Sequence, residues 1–71
     1  MSNRLSTEEA VVFLRKCGVT CSPRQLAKVL GGQPYYYNVK ARNGTLDFDY
    51  TWNGRSLRIY TESVIKRILG G

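Results

Sequence analysis

The chain contains 71 residues, 42% of them hydrophobic and 23% charged, a composition that fits one small globular domain over residues 1–71. The chain has eleven Lys and Arg residues, five acidic residues and no histidine, so its formal net charge is +6. This balance favours a nucleic-acid backbone or another acidic surface as partner, and it argues against enzymatic, metal-dependent or cofactor chemistry. Because no apolar run reaches membrane-spanning length and the N-terminus lacks an apolar signal core, we expect a cytoplasmic protein with no membrane partner.

Two cysteines, Cys17 and Cys21, are four positions apart. Without histidine they cannot complete a tetrahedral zinc site within one chain. A disulfide between them would require an oxidising compartment. We favour two reduced thiols, at least one of them packing as a small hydrophobic side chain.

The first two predicted helices begin with the same signal. Ser6 and Glu9 form a capping box at the start of a helix over residues 6–17, and Gly18 ends it. Its apolar face contains Ala10, Phe13, Leu14 and Cys17. Ser22, Pro23 and Gln25 predict a second helix over residues 22–30, which ends at Gly31 and Gly32. Its buried stripe contains Leu26, Ala27, Val29 and Leu30.

A third helix is predicted over residues 34–42, with Pro34 at its first position and Asn43-Gly44 as its C-terminal stop. A strand through the three consecutive tyrosines is the alternative, because aromatic residues have poor helix propensity. The spacing of Tyr35 and Val39 favours the helix and predicts that Tyr35 packs in the core.

A β-hairpin follows. Asn53-Gly54 is the signal of a type I′ turn, which fixes the pairing of the two strands. One face then pairs Trp52 with Arg55, Tyr50 with Leu57 and Phe48 with Ile59. The other face pairs Asp49 with Arg58 and Thr51 with Ser56. The first face is therefore expected to be apolar, and the second to be polar with a matched charge pair.

The final segment, residues 61–71, predicts a fourth helix capped by Thr61 and ended by Gly70. Its apolar face contains Val64, Ile65, Ile68 and Leu69. The predicted class is α+β, in the order helix, helix, helix, hairpin, helix. This is the layout of a small winged helix-turn-helix domain.

In such a domain the third helix would enter the DNA major groove. The segment from Gln33 to Thr45 has two basic residues and no acidic one. Side chains of these types can contact phosphates or base edges. The candidate DNA-binding residues in and before this helix are Arg24, Gln33, Tyr36, Tyr37, Asn38, Lys40 and Arg42.

The tip of the hairpin is the second candidate contact, through Trp52, Asn53 and Arg55. Arg55 can lie in a narrow minor groove. The alternative is a cation–π stack of Arg55 on Trp52. Asp47 and Asp49 bring the net charge of the hairpin to zero, which leaves its tip as the contact.

The chain resembles the excisionase-like DNA-binding domains, which are related to mercury-resistance-type regulators. The resemblance covers about residues 22–69 and rests on three short motifs: SPRQLAKVLG, NGTL, and GRSLRIYTE before the last helix. It implies a phage or mobile-element recombination directionality factor in the cytoplasm of a bacterial host. Such a protein binds and bends double-stranded DNA beside the attachment site, assembles cooperatively on it, and directs an integrase toward excision. The leading helix, the acidic residues of the hairpin and the tyrosine cluster depart from the family pattern.

Two other functions remain open. A small phage transcriptional regulator would use the same DNA-binding surface. A protein-binding inhibitor of a host protein would instead use the cluster Tyr35–Tyr37, because aromatic residues are enriched at interface hot spots.

Overall fold

The computed structural model describes residues 5–70 as four helices and a three-stranded antiparallel sheet, which confirms the predicted α+β class. Residues 1–4 and 71 of the predicted domain lie outside the described part. The elements are α1 (Thr7–Cys17), β1 (Thr20–Cys21), α2 (Pro23–Leu30), α3 (Pro34–Arg42), β2 (Tyr50–Asn53), β3 (Ser56–Tyr60) and α4 (Thr61–Gly70). Within residues 5–70, no helix combines the length and the apolar character needed to cross a membrane.

Both predicted capping boxes are present. The Ser6 hydroxyl accepts from the backbone N–H of Glu9 at 3.2 Å, and the Ser6 N–H donates to the Glu9 carboxylate at 3.0 Å. The pKa of the Glu9 carboxyl is lowered by hydrogen bonding to the Ser6 backbone N–H and, to a smaller extent, to the Ser6 side chain, because donation to the carboxylate favours its charged form. Ser22 and Gln25 make the same reciprocal pair at the start of α2, at 3.3 and 2.9 Å.

The sheet contains a strand that the sequence did not predict. The strand order is β1-β3-β2, so β3 is central and pairs with both neighbours. In β1, Thr20 lies opposite Tyr60 and Cys21 lies opposite Ile59. The hydroxyl of Thr61, predicted to cap α4, instead donates to the carbonyl oxygen of Gly18 at 2.7 Å. This bond attaches the start of α4 to the loop that leads into β1.

The predicted hairpin register is wrong, because the two-residue turn begins one residue later than expected. Asn53 pairs with Ser56, so the two loop residues are Gly54 and Arg55. Gly54 has φ of +65° and Asn53 has no positive φ, which fits a type II′ turn and excludes type I′. The observed cross-strand pairs are Tyr50–Ile59, Thr51–Arg58, Trp52–Leu57 and Asn53–Ser56. The partner of each residue changes by two positions, so the predicted faces of the sheet are retained.

The expected charge pair between Asp49 and Arg58 is also wrong. Arg58 lies opposite Thr51, and its guanidinium donates to Thr20 across the β1–β3 pair. The two bonds reach the Thr20 hydroxyl at 3.1 Å and its carbonyl oxygen at 3.2 Å. Arg58 therefore holds the short strand β1 onto the sheet.

The hydrophobic core lies between the helices and the apolar face of the sheet. Its fully buried side chains are Leu14, Cys21, Leu26, Ile59 and Val64. Both cysteines are free thiols, and Cys21 packs in this core as a small hydrophobic residue. On the hairpin face that was expected to be apolar, Leu57 and Ile59 are buried, whereas Phe48 and Tyr50 are partly buried.

Candidate nucleic-acid interface

The connection between α2 and α3 is three residues long: Gly31, Gly32 and Gln33. The φ values of the two glycines are +87° and +84°, a conformation that residues with a Cβ atom rarely adopt. The hydroxyl of Tyr37 donates to the carbonyl oxygen of Gly31 at 2.6 Å, which ties α3 back to the end of α2. The chain can therefore turn within three residues and keep the two helices in contact.

The tyrosines of α3 are arranged differently from the prediction. Tyr35, expected in the core, is 72% exposed, whereas Tyr37, expected to contact DNA, is only 7% exposed. The buried side of α3 is formed by Tyr37 and Ala41, which are one helical turn apart. The sequence offered two such pairs, and the prediction relied on Tyr35 and Val39. Tyr37 is thus a structural residue.

The exposed face of α3 combines aromatic and basic side chains. Tyr36 is 52% exposed, and the Nζ atom of Lys40 lies 5.2 Å from the centroid of its ring. This is the distance of a cation–π contact, which restricts where the ammonium group points. Tyr35 and Arg42 are also exposed, and they share another side of the helix, because seven residues make about two helical turns. Asn38 is partly buried.

The hairpin is attached to the C-terminal end of α3. The hydroxyl of Tyr50 in β2 donates to the carbonyl oxygen of Ala41 at 3.0 Å. Trp52 packs edge-on against Tyr50, with 6.5 Å between ring centroids and 88° between ring planes. Within residues 5–70, the ring partner of Trp52 is Tyr50 and not Arg55. Arg55 is exposed in the turn, and Asn53 is exposed beside it.

The predicted site residues divide into three groups by exposure. Tyr37 is buried, and Asn38 and Lys40 are partly buried. The remaining residues are exposed: Arg24, Gln33, Tyr36, Arg42, Trp52, Asn53 and Arg55. The bond between Tyr50 and Ala41 connects the α3 residues with the hairpin residues. Arg24 lies in the first turn of α2.

The acid-free part of the chain is longer than the segment from Gln33 to Thr45 on which the sequence prediction relied. Residues 10–46 contain no acidic residue. The same segment contains six basic residues: Arg15, Lys16, Arg24, Lys28, Lys40 and Arg42. All five acidic residues, Glu8, Glu9, Asp47, Asp49 and Glu62, lie outside it. The basic character therefore extends over α2 and α3 together, beyond the short segment around the tyrosines. Tyr35 is a further candidate that the prediction missed, because it was assigned to the core.

Comparison of the chain with protein-family models, with curated proteins and with solved structures finds no significant match. We therefore infer function from the exposure, charge and contacts of the residues themselves.

Proposed function

We propose that the chain binds double-stranded DNA as a winged helix-turn-helix, with α3 in the major groove and the β2–β3 hairpin as the wing. A short connection containing glycine, such as the one between α2 and α3, is typical of helix-turn-helix pairs. The observation that carries the proposal is the solvent-facing surface of α3, which carries the exposed Tyr36 and Arg42 and the partly buried Lys40 within an acid-free stretch of chain.

The chemistry of these side chains suits DNA. Lys40 and Arg42 can each neutralise a phosphate or donate to a guanine, and Gln33 can pair with an adenine. The hydroxyls of Tyr35 and Tyr36 can donate to phosphate oxygens and so orient the helix. Their rings can also pack against thymine methyl groups, since apolar contact is the usual recognition of that group.

The wing would contact the flanking groove through its tip. Arg55 is exposed directly after Gly54, where the missing side chain allows the backbone to approach another surface. A narrow A·T-rich minor groove has an enhanced negative potential that attracts an inserted arginine. Arg58 has a structural role instead, because its guanidinium is bonded to Thr20.

The resemblance to excisionase-like domains extends this proposal to a biological role. The protein would bend DNA beside an attachment site and direct an integrase toward excision, without breaking a bond itself. A transcriptional regulator would use the same residues. Footprinting across DNA from the genomic neighbourhood of the chain separates the two roles: sites beside an attachment sequence support excision, and sites over a promoter alone support regulation.

The direct test of DNA binding compares Lys40→Ala, Arg55→Ala and Arg58→Ala on one DNA fragment at two salt concentrations. Loss of Arg55 should weaken binding by about 1–3 kcal/mol, the scale of one good groove contact. If Lys40 contacts a phosphate, its loss should reduce the salt slope by about one unit on every sequence. Arg58→Ala should lower stability and leave the affinity of the folded fraction almost unchanged. A larger loss of affinity for Arg58→Ala than for Arg55→Ala would contradict the proposed roles.

A second candidate function is protein binding through the exposed rings of Tyr35 and Tyr36, which are 72% and 52% exposed. Aromatic anchors of this kind dominate many protein interfaces. Salt distinguishes the two functions, because DNA affinity falls steeply with ionic strength whereas an aromatic hot spot is much less sensitive. A partner protein retained at high salt by the native chain and lost with Tyr35→Ala would favour this second function.

A further inference from the structure

The exposed side of α1 carries Glu8, Val12 and Lys16 in a line, which we call the Val12 ridge and which the DNA-binding proposal does not use. Val12 is 52% exposed, and an open groove runs along each side of it. The groove toward α2 has a volume of about 490 Å³ and includes Phe13 in its lining. The groove toward α4 has a volume of about 360 Å³ and includes Val11 and the 62% exposed Leu69. A ridge between two grooves that contain apolar side chains can pack against a second surface of the same shape.

The charges along this ridge are opposite at its two ends. Glu8 precedes Val12 by four residues and Lys16 follows it by four, so all three lie along one side of α1. Both charged side chains are exposed and line the groove toward α2. Lys28 adds a second cation to this groove and lies over the ring of Phe13 at 5.6 Å from its centroid.

This pattern is complementary to itself. If two α1 helices pack antiparallel with Val12 at a two-fold axis, Glu8 of each copy lies opposite Lys16 of the other. Each charged residue is about 6 Å along the helix from the axis, one helical turn away from Val12. An isologous interface requires this property, because one surface must serve both sides of the contact.

We propose that a second copy of this chain docks on the Val12 ridge, forming a two-fold dimer through antiparallel α1 helices. The ridge of each copy enters the groove beside Val12 of the other, and two pairs of Glu8 and Lys16 fix the direction of packing. The occupant is a second copy because the charges of the ridge match under a two-fold rotation. The dimer forms without DNA, so it is independent of the proposed DNA-binding function.

Substitutions that reverse the charge of Glu8 or of Lys16 test this dimer. Sedimentation equilibrium of the chain without DNA, across a concentration series from micromolar to millimolar, should show a monomer–dimer equilibrium. Glu8→Lys and Lys16→Glu should each weaken the dimer by about tenfold or more, because each replaces two attractive pairs with two repulsive ones. An equal mixture of the two variants should restore association as a heterodimer, since the mixed pairs are again attractive. The double variant should restore the homodimer.

The matched controls are Glu62→Lys and Arg67→Glu, which make the same charge changes in the first and last turns of α4. These two variants should leave the dimer unchanged. Circular dichroism should be used to check that each variant is folded. Recovery of association in the mixture cannot result from misfolding of either variant. A wild-type chain that remains monomeric throughout the series would overturn the proposal. In that case, any partner of the ridge would be a different protein. A dimer that is equally weakened by the controls, or not restored in the mixture, would also overturn it.

Discussion

The phenolic hydroxyl of Tyr50 donates a hydrogen bond to the backbone carbonyl of Ala41, with 3.0 Å between the two oxygen atoms. The bond joins β2 to the last turn of α3, although these elements are separated by a loop in the chain. The same tyrosine ring supports Trp52 edge-on near the tip of the hairpin. Tyr50 therefore sets the position of the hairpin relative to the exposed face of α3.

Replacing Tyr50 by Phe removes this bond and keeps the ring. We expect the free energy of unfolding to fall by about 1 kcal/mol, the usual contribution of one intramolecular hydrogen bond. Urea denaturation measures the change, and Tyr35→Phe, which alters an exposed hydroxyl, is the matched control. Equal midpoints for the two variants would show that the bond does not stabilise the fold.

Tyr37 and Tyr36 are neighbours in the chain with opposite roles. Tyr37→Ala removes a buried aromatic ring and should cost about 3 kcal/mol or more. Tyr36→Ala removes an exposed ring and should cost less than about 1 kcal/mol, while weakening any DNA affinity. Thermal or urea denaturation of both variants provides the comparison. If the variants are equally stable, α3 does not bury Tyr37 as described.

The turn type of the hairpin can be tested by two substitutions. Gly54→Ala places a Cβ atom at a φ of +65° and should destabilise the protein by about 1–2 kcal/mol. Asn53→Ala should have little effect on stability, because Asn53 has ordinary extended backbone in β2. In a type I′ turn both residues require positive φ, so a comparable loss for Asn53→Ala would support the register predicted from the sequence.

The two cysteines should differ in reactivity. Burial raises the pKa of Cys21 to about 11, with a smaller contribution from the nearby Cys17, and burial also raises the pKa of Cys17. Since the thiolate is the reactive form, both thiols should alkylate more slowly at neutral pH than in the unfolded chain. Cys17 should react first because it is more accessible. Mass spectrometry of a timed alkylation with iodoacetamide locates each label, and early labelling of Cys21 would contradict its burial.

The sequence predicted correctly several features that depend on residues close in the chain, although the equally local turn at Asn53-Gly54 was predicted wrongly. The capping boxes at Ser6 and Ser22 each involve a partner only three residues away, so the local pattern was sufficient. The bounds of α3 followed from Pro34 and Gly44 for the same reason. The apolar face of the hairpin was also predicted, because a shift of two positions in pairing preserves the alternation of the strands.

Only the tertiary structure decided the features that depend on contacts between separate elements. Strand β1 is two residues long and exists because β3, almost forty residues later, supplies its hydrogen bonds and the guanidinium of Arg58. The choice of Tyr37 over Tyr35 for the core depended on packing of α3 against α2 and on a carbonyl oxygen at Gly31. The sequence by itself determined where α1, α2 and α3 begin and end, since the signals at their ends are local. It could not determine which side of α3 is buried, because Tyr35–Val39 and Tyr37–Ala41 both have helical spacing and the packing of α3 against α2 selected between them.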